Sequence, residues 1–396
     1  MDAVKINIAP CVLEWVLAAV NTDNTDNTDN AVLKGAVDTL KEWHSGSVVP
    51  TFSNIEKISK KTHIPFGYFF LQSPPDEQLP LLEYRTVDSL VKGKPSRNLI
   101  DTIKHMESIQ EWMYEYRLDN GYSKLPFVGL LKGNTDVALI AQSIRDTICV
   151  NIDWYAESTI TDADVSLRYM RERFEGVGLL VIMYGIVGQN SRRQLNIDEF
   201  RAFTLLHDYV PLVFINASDS AGARLFSLIH EAVHVWLGEH SFYNDRHGVH
   251  SNKPLEKLCN AVTAEILVPN TAFVEEWKKN NELTENRVKK LARIFKCGEL
   301  VIARRALDSA YITQQQYKSI SDEAIVNFNK QKEMRKEKRG GGDYYRTNIS
   351  RFGRNFILAL HNSIKEGKTL DMEAFRLTRM NVGTFDKLVS KARGVK

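Results

Sequence analysis

The chain has 396 residues, enough for two or three domains, and its 43% hydrophobic and 26% charged side chains are the balance of an ordinary soluble protein. A net charge of +3 is too mild to argue for nucleic-acid binding by itself, and no window offers the roughly 20 consecutive apolar residues of a membrane span. The opening MDAVKINIAPCVLEW lacks the regions of a signal peptide, and Cys11, Cys149, Cys259 and Cys297 form no C-x-x-C pair, so a cytoplasmic protein with reduced cysteines is expected.

Residues 1–75 read as a small helical unit. Val12 to Val20 is apolar and helix-compatible, and Phe52 to Thr62 alternates at helical spacing after Pro50-Thr51, a good helix start. Between them Asn21 to Asn30 is a Thr-Asp-Asn repeat, expected to be a solvated loop because Asn and Asp favour turns over helix interiors. The tract Leu40 to Gly46, LKEWHSG, followed by Pro50-Thr51, resembles the degenerate helix-turn-helix of XRE-type regulators. In such modules the helix ending in this turn carries the base-reading side chains. Lys34 and Lys41 are the only cations near that position, whereas a DNA reader needs several for phosphates. Partner binding or dimerisation is therefore the expected use, with DNA binding as the alternative.

Pro74, Pro75 and Pro80 mark residues 76–98 as a linker. Leu99 to Leu118 has the apolar stripe of an amphipathic helix, and Val137 to Ile148 and Asp164 to Gly176 are further helices. Gly178 to Val187 and Pro211 to Asn216 are short β-rich runs bounded by turn formers, hence strands. Leu225 to His240, LFSLIHEAVHVWLGEH, is a helix with almost no polar face, capped by Ser218 or Asp219. After a polar loop, Ser241 to Lys253, Pro254 opens a helix that Pro269 closes; Arg287 to Lys296 and Glu299 to Ser309 are two more. Residues 326–342 read as a basic and glycine-rich solvated linker, and 343–396 as a helical tail in which FGRNFILALHNSI has one buried face.

His230 and His234 stand four apart, so on a helix both imidazoles project from one face, with Glu231 beside them. Two histidines and a carboxylate are costly inside an apolar helix unless something pairs with them, and a metal ion would. Such a site needs a third ligand. His240 lies six after His234, as in the metzincin pattern, but Leu237 stands where that pattern has glycine, Gly238 comes one step late, and no methionine follows before Met334. His247 and His250 lie in the polar loop. Glu256 opens the next helix and is preferred; Glu265, nine residues on, is its competitor.

The set H-E-x-x-H at 230–234, Glu256-Lys257-Leu258-Cys259-Asn260 and Ala264-Glu265-Ile266-Leu267-Val268-Pro269 resembles the ImmA/IrrE family of zinc metallopeptidases. The likeness extends to Asp198-Glu199-Phe200-Arg201-x-Phe203, to Phe214-Ile215-Asn216 and to Val301–Leu307. The N-terminal tract and the Phe69–Pro75 junction resemble long members that carry an XRE-type domain. The Thr-Asp-Asn insert is the main departure. The resemblance implies an α+β fold: a predominantly helical, gluzincin-like peptidase core over residues 99–325, with a small β-sheet flanking the H-E-x-x-H helix. It implies a zinc ion, Zn2+, held by His230, His234 and Glu256, with Glu231 as general base, and a peptide substrate that adds as an extended strand beside Pro211 to Asn216. No oxyanion stabiliser is assigned; Tyr209, His207 and Arg201 lie near in sequence.

The family implies cleavage of one regulatory protein, an XRE-type repressor, in a stress, mobile-element or toxin-antitoxin switch. The other reading is an antitoxin-like binding protein that neutralises a toxin partner, for example a PIN-like ribonuclease, with a retained peptidase fold. A pure scaffold has no physical need for Glu231.

Overall fold

The computed structural model describes residues 4–22, 30–77, 95–243, 254–279, 282–337 and 343–394. Most of the Thr-Asp-Asn repeat, most of the 76–98 connector, His247, His250 and the triple glycine lie outside the described residues. The chain divides into two compact units, residues 1–80 with 91–104, and residues 81–90 with 105–396.

In the first unit, α1 (Pro10–Thr22), α2 (Asn30–His44) and α3 (Phe52–Thr62) close on a core of Val12, Val16, Leu40, Trp43, Ile55, Ile58 and Phe69. The spacing of Ile55 and Ile58 gives α3 its buried face, and the Thr51 hydroxyl caps it by accepting from the Asn54 amide. The helix α4 (Arg97–Asp119) begins here. Its first turns carry Arg97 and Lys104, which converge on Glu77 at 2.8 Å each, while Arg97 also pairs with Asp101 at 2.6 Å.

The second unit is mostly helical with one small mixed sheet. It runs through α5 (Val137–Thr147), α6 (Ala163–Gly176), β1 (Leu180–Tyr184), β2 (Ile186–Val187), β3 (Asn190–Gln194), β4 (Ala202–Leu205), β5 (Leu212–Asn216), α7 (Ala221–Leu237) and β6 (Ser241–Tyr243). Helices α8 (Pro254–Leu267), α9 (Asn270–Lys278), α10 (Thr284–Ile294), α11 (Glu299–Asp308) and α12 (Gln314–Glu337) follow, and then α13 (Tyr344–Phe352), α14 (Arg354–Lys365), α15 (Asp371–Thr378) and α16 (Val382–Ala392).

The sheet order is β1-β5-β4-β6, with β1 parallel to β5 and both other pairings antiparallel. Because β5 is central, all five of its residues are buried, and alternation sorts them between two faces. Val213 and Ile215 join α7 in the main core. Phe214 stacks with Tyr184 and Phe203 on the opposite face. That face is closed by α4, whose Gln110 donates to the Leu205 and Val210 carbonyls at 2.8 and 2.7 Å, and by Phe352 of α13 against Tyr184. The helical tail is thus part of this unit's packing, and its expected buried face is found in α14 as Phe356, Ile357, Ala359, Leu360 and Ser363.

Several expectations need correction. The run 178–187 is not one strand: it divides at Gly185, whose carbonyl accepts from the Ser218 hydroxyl at 3.2 Å. Strands β4 and β6 carry too few residues to show a period, and β3, NSRRQ, is polar throughout and has no apolar alternation. The cap of α7 is Ser220, which accepts from the Ala223 amide, rather than Ser218 or Asp219; Ser218 serves Gly185 and Asp219 pairs with Arg201. Residues 326–337, read as linker, continue α12 as helix. The strand expected to accept substrate, Pro211 to Asn216, has both edges occupied, by β1 and β4, so no peptide can add to it.

Candidate metal centre

Helix α7 is buried along almost its whole length, as an apolar-all-round sequence requires. Two glycine contacts fix its ends. At its start Gly222 lies so close to Gly298 that a Cβ there would sit 2.6 Å from the Gly298 Cα. At its end Gly238 takes the left-handed conformation (φ 71°) that a helix C-cap favours. This turn diverts the chain at once into β6.

His230 and His234 face α8, where Glu256 occupies the first turn. The His230 Nε2 lies 3.2 Å from Glu256 Oε2 and 3.3 Å from His234 Nε2, and His234 Nε2 lies 3.6 Å from Glu256 Oε1. These three residues, all buried, form the group able to hold a metal ion among the described residues. The donor set fits a cation: one proton can serve one edge of such a triangle, whereas an ion at its centre serves all three corners. Ligands at zinc–nitrogen distances in a tetrahedron are about 3.3 Å apart, close to the edges found here. Burial, reinforced by the charge of His230, pushes His234 down to about 3 against the pull of Glu256, so its imidazole is neutral and suited to ligation.

Glu231 points to the sheet. The Thr204 hydroxyl of β4 donates to its Oε2 at 2.5 Å, and the Ser241 hydroxyl of β6 donates to its Oε1 at 3.3 Å. Complete burial pushes its carboxyl up to about 7, with Glu256 adding to the rise and His230, Thr204 and Ser241 opposing it. A carboxylate so placed is a proton acceptor near neutral pH. Thr204 and Ser241 carry no sequence signal: one follows the Asp198–Phe203 tract and the other opens what reads as a loop.

The rejected ligands have other partners. The His240 Nδ1 accepts from the Leu206 amide at 3.3 Å, well placed on the β4 edge and outside the three-residue group. Glu265 pairs with Arg305 of α11 at 2.8 Å, and that guanidinium also donates to the Val268 carbonyl. Arg201 is engaged by Asp219 before α7, and His207 and Tyr209 pack around Tyr114. None of the three is assigned an oxyanion role.

With this geometry in place, the comparisons can be set beside it. Residues 191–307 match the family model of the IrrE N-terminal-like domain, Peptidase_M78. The match runs from β3 to α11 and so contains both helices of the three-residue group. It supports the ImmA/IrrE family for this part of the chain and a peptidase assignment, and M78 peptidases are metallopeptidases. No curated protein and no solved structure matches the chain. Among the described residues no helix is long and apolar enough to cross a membrane.

Proposed function

We propose that the protein is a zinc-dependent endopeptidase with His230, His234 and Glu256 as metal ligands and Glu231 as general base, and that it cleaves a specific regulatory protein of the XRE-repressor type. The observation that carries this reading is the 3.2–3.6 Å triangle of ligand atoms, buried beside a carboxylate held near neutral pKa. The family match over residues 191–307 supports it. Zinc, when bound, polarises a peptide carbonyl and makes water more acidic. Glu231 accepts the proton of the attacking water and returns it to the leaving amine, while the Thr204 hydroxyl fixes the orientation of its carboxylate. The substrate assignment rests on the resemblance alone.

The test is metal analysis of the purified protein together with cleavage of a co-purifying regulator. Zinc present in the wild type, with cleavage abolished in Glu231→Gln, is the expected result. Full cleavage by Glu231→Gln would remove Glu231 from its role.

A further inference from the structure

Strand β6 sits where a substrate would have to sit. It pairs antiparallel with β4, placing Ser241 opposite Thr204, Phe242 opposite Phe203 and Tyr243 opposite Ala202. Thr204 is the residue whose hydroxyl holds Glu231, and Ser241 reaches the same carboxylate from the adjoining strand. The cover continues one residue back, where the imidazole of His240 accepts from the Leu206 amide at 3.3 Å. A side chain there takes the part of the next carbonyl of a paired strand. Residues 240–243 together cover the edge of β4 from Ala202 to Leu206.

Among the described residues the other strand edges of this sheet offer no substitute. β5 is paired on both sides, and β1 lies on the far side of β5 from β4. A peptide laid outside β6 would be a further strand spacing, about 4.8 Å, from the edge that carries Thr204. Reacting groups have to come within roughly 3.5 Å of one another. The β4 edge is the one from which an extended backbone can reach Glu231.

We infer that the edge of β4, Ala202 to Leu206, is the docking site for an extended polypeptide segment, and that residues 240–243 are an internal stand-in which must leave before substrate can enter. The inference rests on reading α7 and α8 as a peptidase site and adds its regulation. Backbone hydrogen bonding gives such a site affinity, and the surroundings of alternate side chains give it selectivity. The polypeptide has to arrive unfolded or from a flexible stretch of its parent.

A staple tests this. Ala202→Cys with Tyr243→Cys places thiols at directly opposed positions of β4 and β6, in a Cys11→Ser, Cys149→Ser background that removes the two exposed cysteines. Fluorescein-labelled β-casein, an unfolded polypeptide, is the probe, and the initial anisotropy on mixing reports binding to zinc-loaded full-length protein. The apparent affinity scales with the fraction of uncovered edge, so the oxidised protein should bind roughly tenfold or more weakly than the same protein reduced. His240→Ala, which needs no new covalent bond, should bind severalfold more tightly than wild type. Equal anisotropy in all samples, bound or unbound, overturns the proposal. Zinc content read on the same samples separates the two readings: a zinc-free wild type removes the peptidase assignment, whereas zinc-loaded forms that bind alike remove the docking site alone.

Discussion

Two polar clusters in this protein, one half-buried and one fully buried, are built on opposite principles. In the first unit Glu77 meets Arg97 and Lys104, with Asp101 closing the other side of Arg97. Burial would raise the Glu77 carboxyl, but the bonds and charges of Lys104 and Arg97 outweigh it and hold the group below the usual carboxylate range. Donors face acceptors, and the cluster is complete as it stands. In the second unit two imidazole nitrogens and a carboxylate converge on one another, every corner able to offer a lone pair. A cluster that balances its own charge holds a fold together, whereas one made of convergent acceptors is shaped around something else. Buried ionisable groups alone do not mark a functional site; the sign of what they offer does.

The largest expected effect breaks the second cluster. Glu256→Ala should reduce bound zinc from close to one per chain to near zero and abolish peptidase activity, read by metal analysis and by cleavage of the co-purifying regulator. Unchanged metal content would dissolve the contrast between the clusters. In the first unit Arg97→Met should cost about 3 kcal/mol in urea unfolding, because it leaves the half-buried Glu77 with Lys104 and the Tyr68 hydroxyl as its partners. Zinc content should not change, and the double variant with Glu77→Gln should recover much of the loss.

A third prediction concerns Glu231 in metal-free protein. Its folded pKa, about 7, lies above the ordinary 4.5, so its contribution to stability is present in full below pH 4.5 and is lost as pH rises through 7. Glu231→Gln has no such loss. The variant should therefore gain on wild type by roughly 3 kcal/mol between pH 4.5 and pH 8, measured by thermal melts across that range. A constant difference would mean that the carboxyl is not held above its ordinary value. The smallest effect is that of Thr204→Val, which removes the hydroxyl from Glu231 Oε2 and should cost about 1–2 kcal/mol. Thr204→Ser should restore it.

Much of the helical framework could be read from the sequence. The Pro50-Thr51 start fixed α3 at Phe52–Thr62, and the bracketing prolines placed α8 at Pro254–Leu267. The three residues of the metal group were legible because helical spacing brings His230 and His234 to one face and because Glu256 follows in the next helix. What could not be read is what strand pairing creates. β4 and β6 have four and three residues, too short for alternation to register, yet their pairing brings Thr204 and Ser241 to Glu231. His240 falls away as a ligand in the sequence for want of a correctly spaced glycine and a methionine turn; in the structure the Gly238 turn carries it to the β4 edge. Nothing in its spacing pointed to that second location.

The end of α7 is served by groups made long before it. The Gly129 amide donates to the Val235 carbonyl and the Leu131 amide to the Trp236 carbonyl, each at 2.9 Å, while Gly129 also packs on Gly238. A helix leaves its last carbonyls without intrahelical partners, and here a segment translated about a hundred residues earlier supplies them. During vectorial synthesis the receiving loop has already left the ribosome when α7 emerges. The opposite end has no such advantage, because Gly222 must wait for Gly298. The C-terminal turn of this helix, with His234 in it, is therefore the part of the metal-group framework that can be anchored first in the nascent chain.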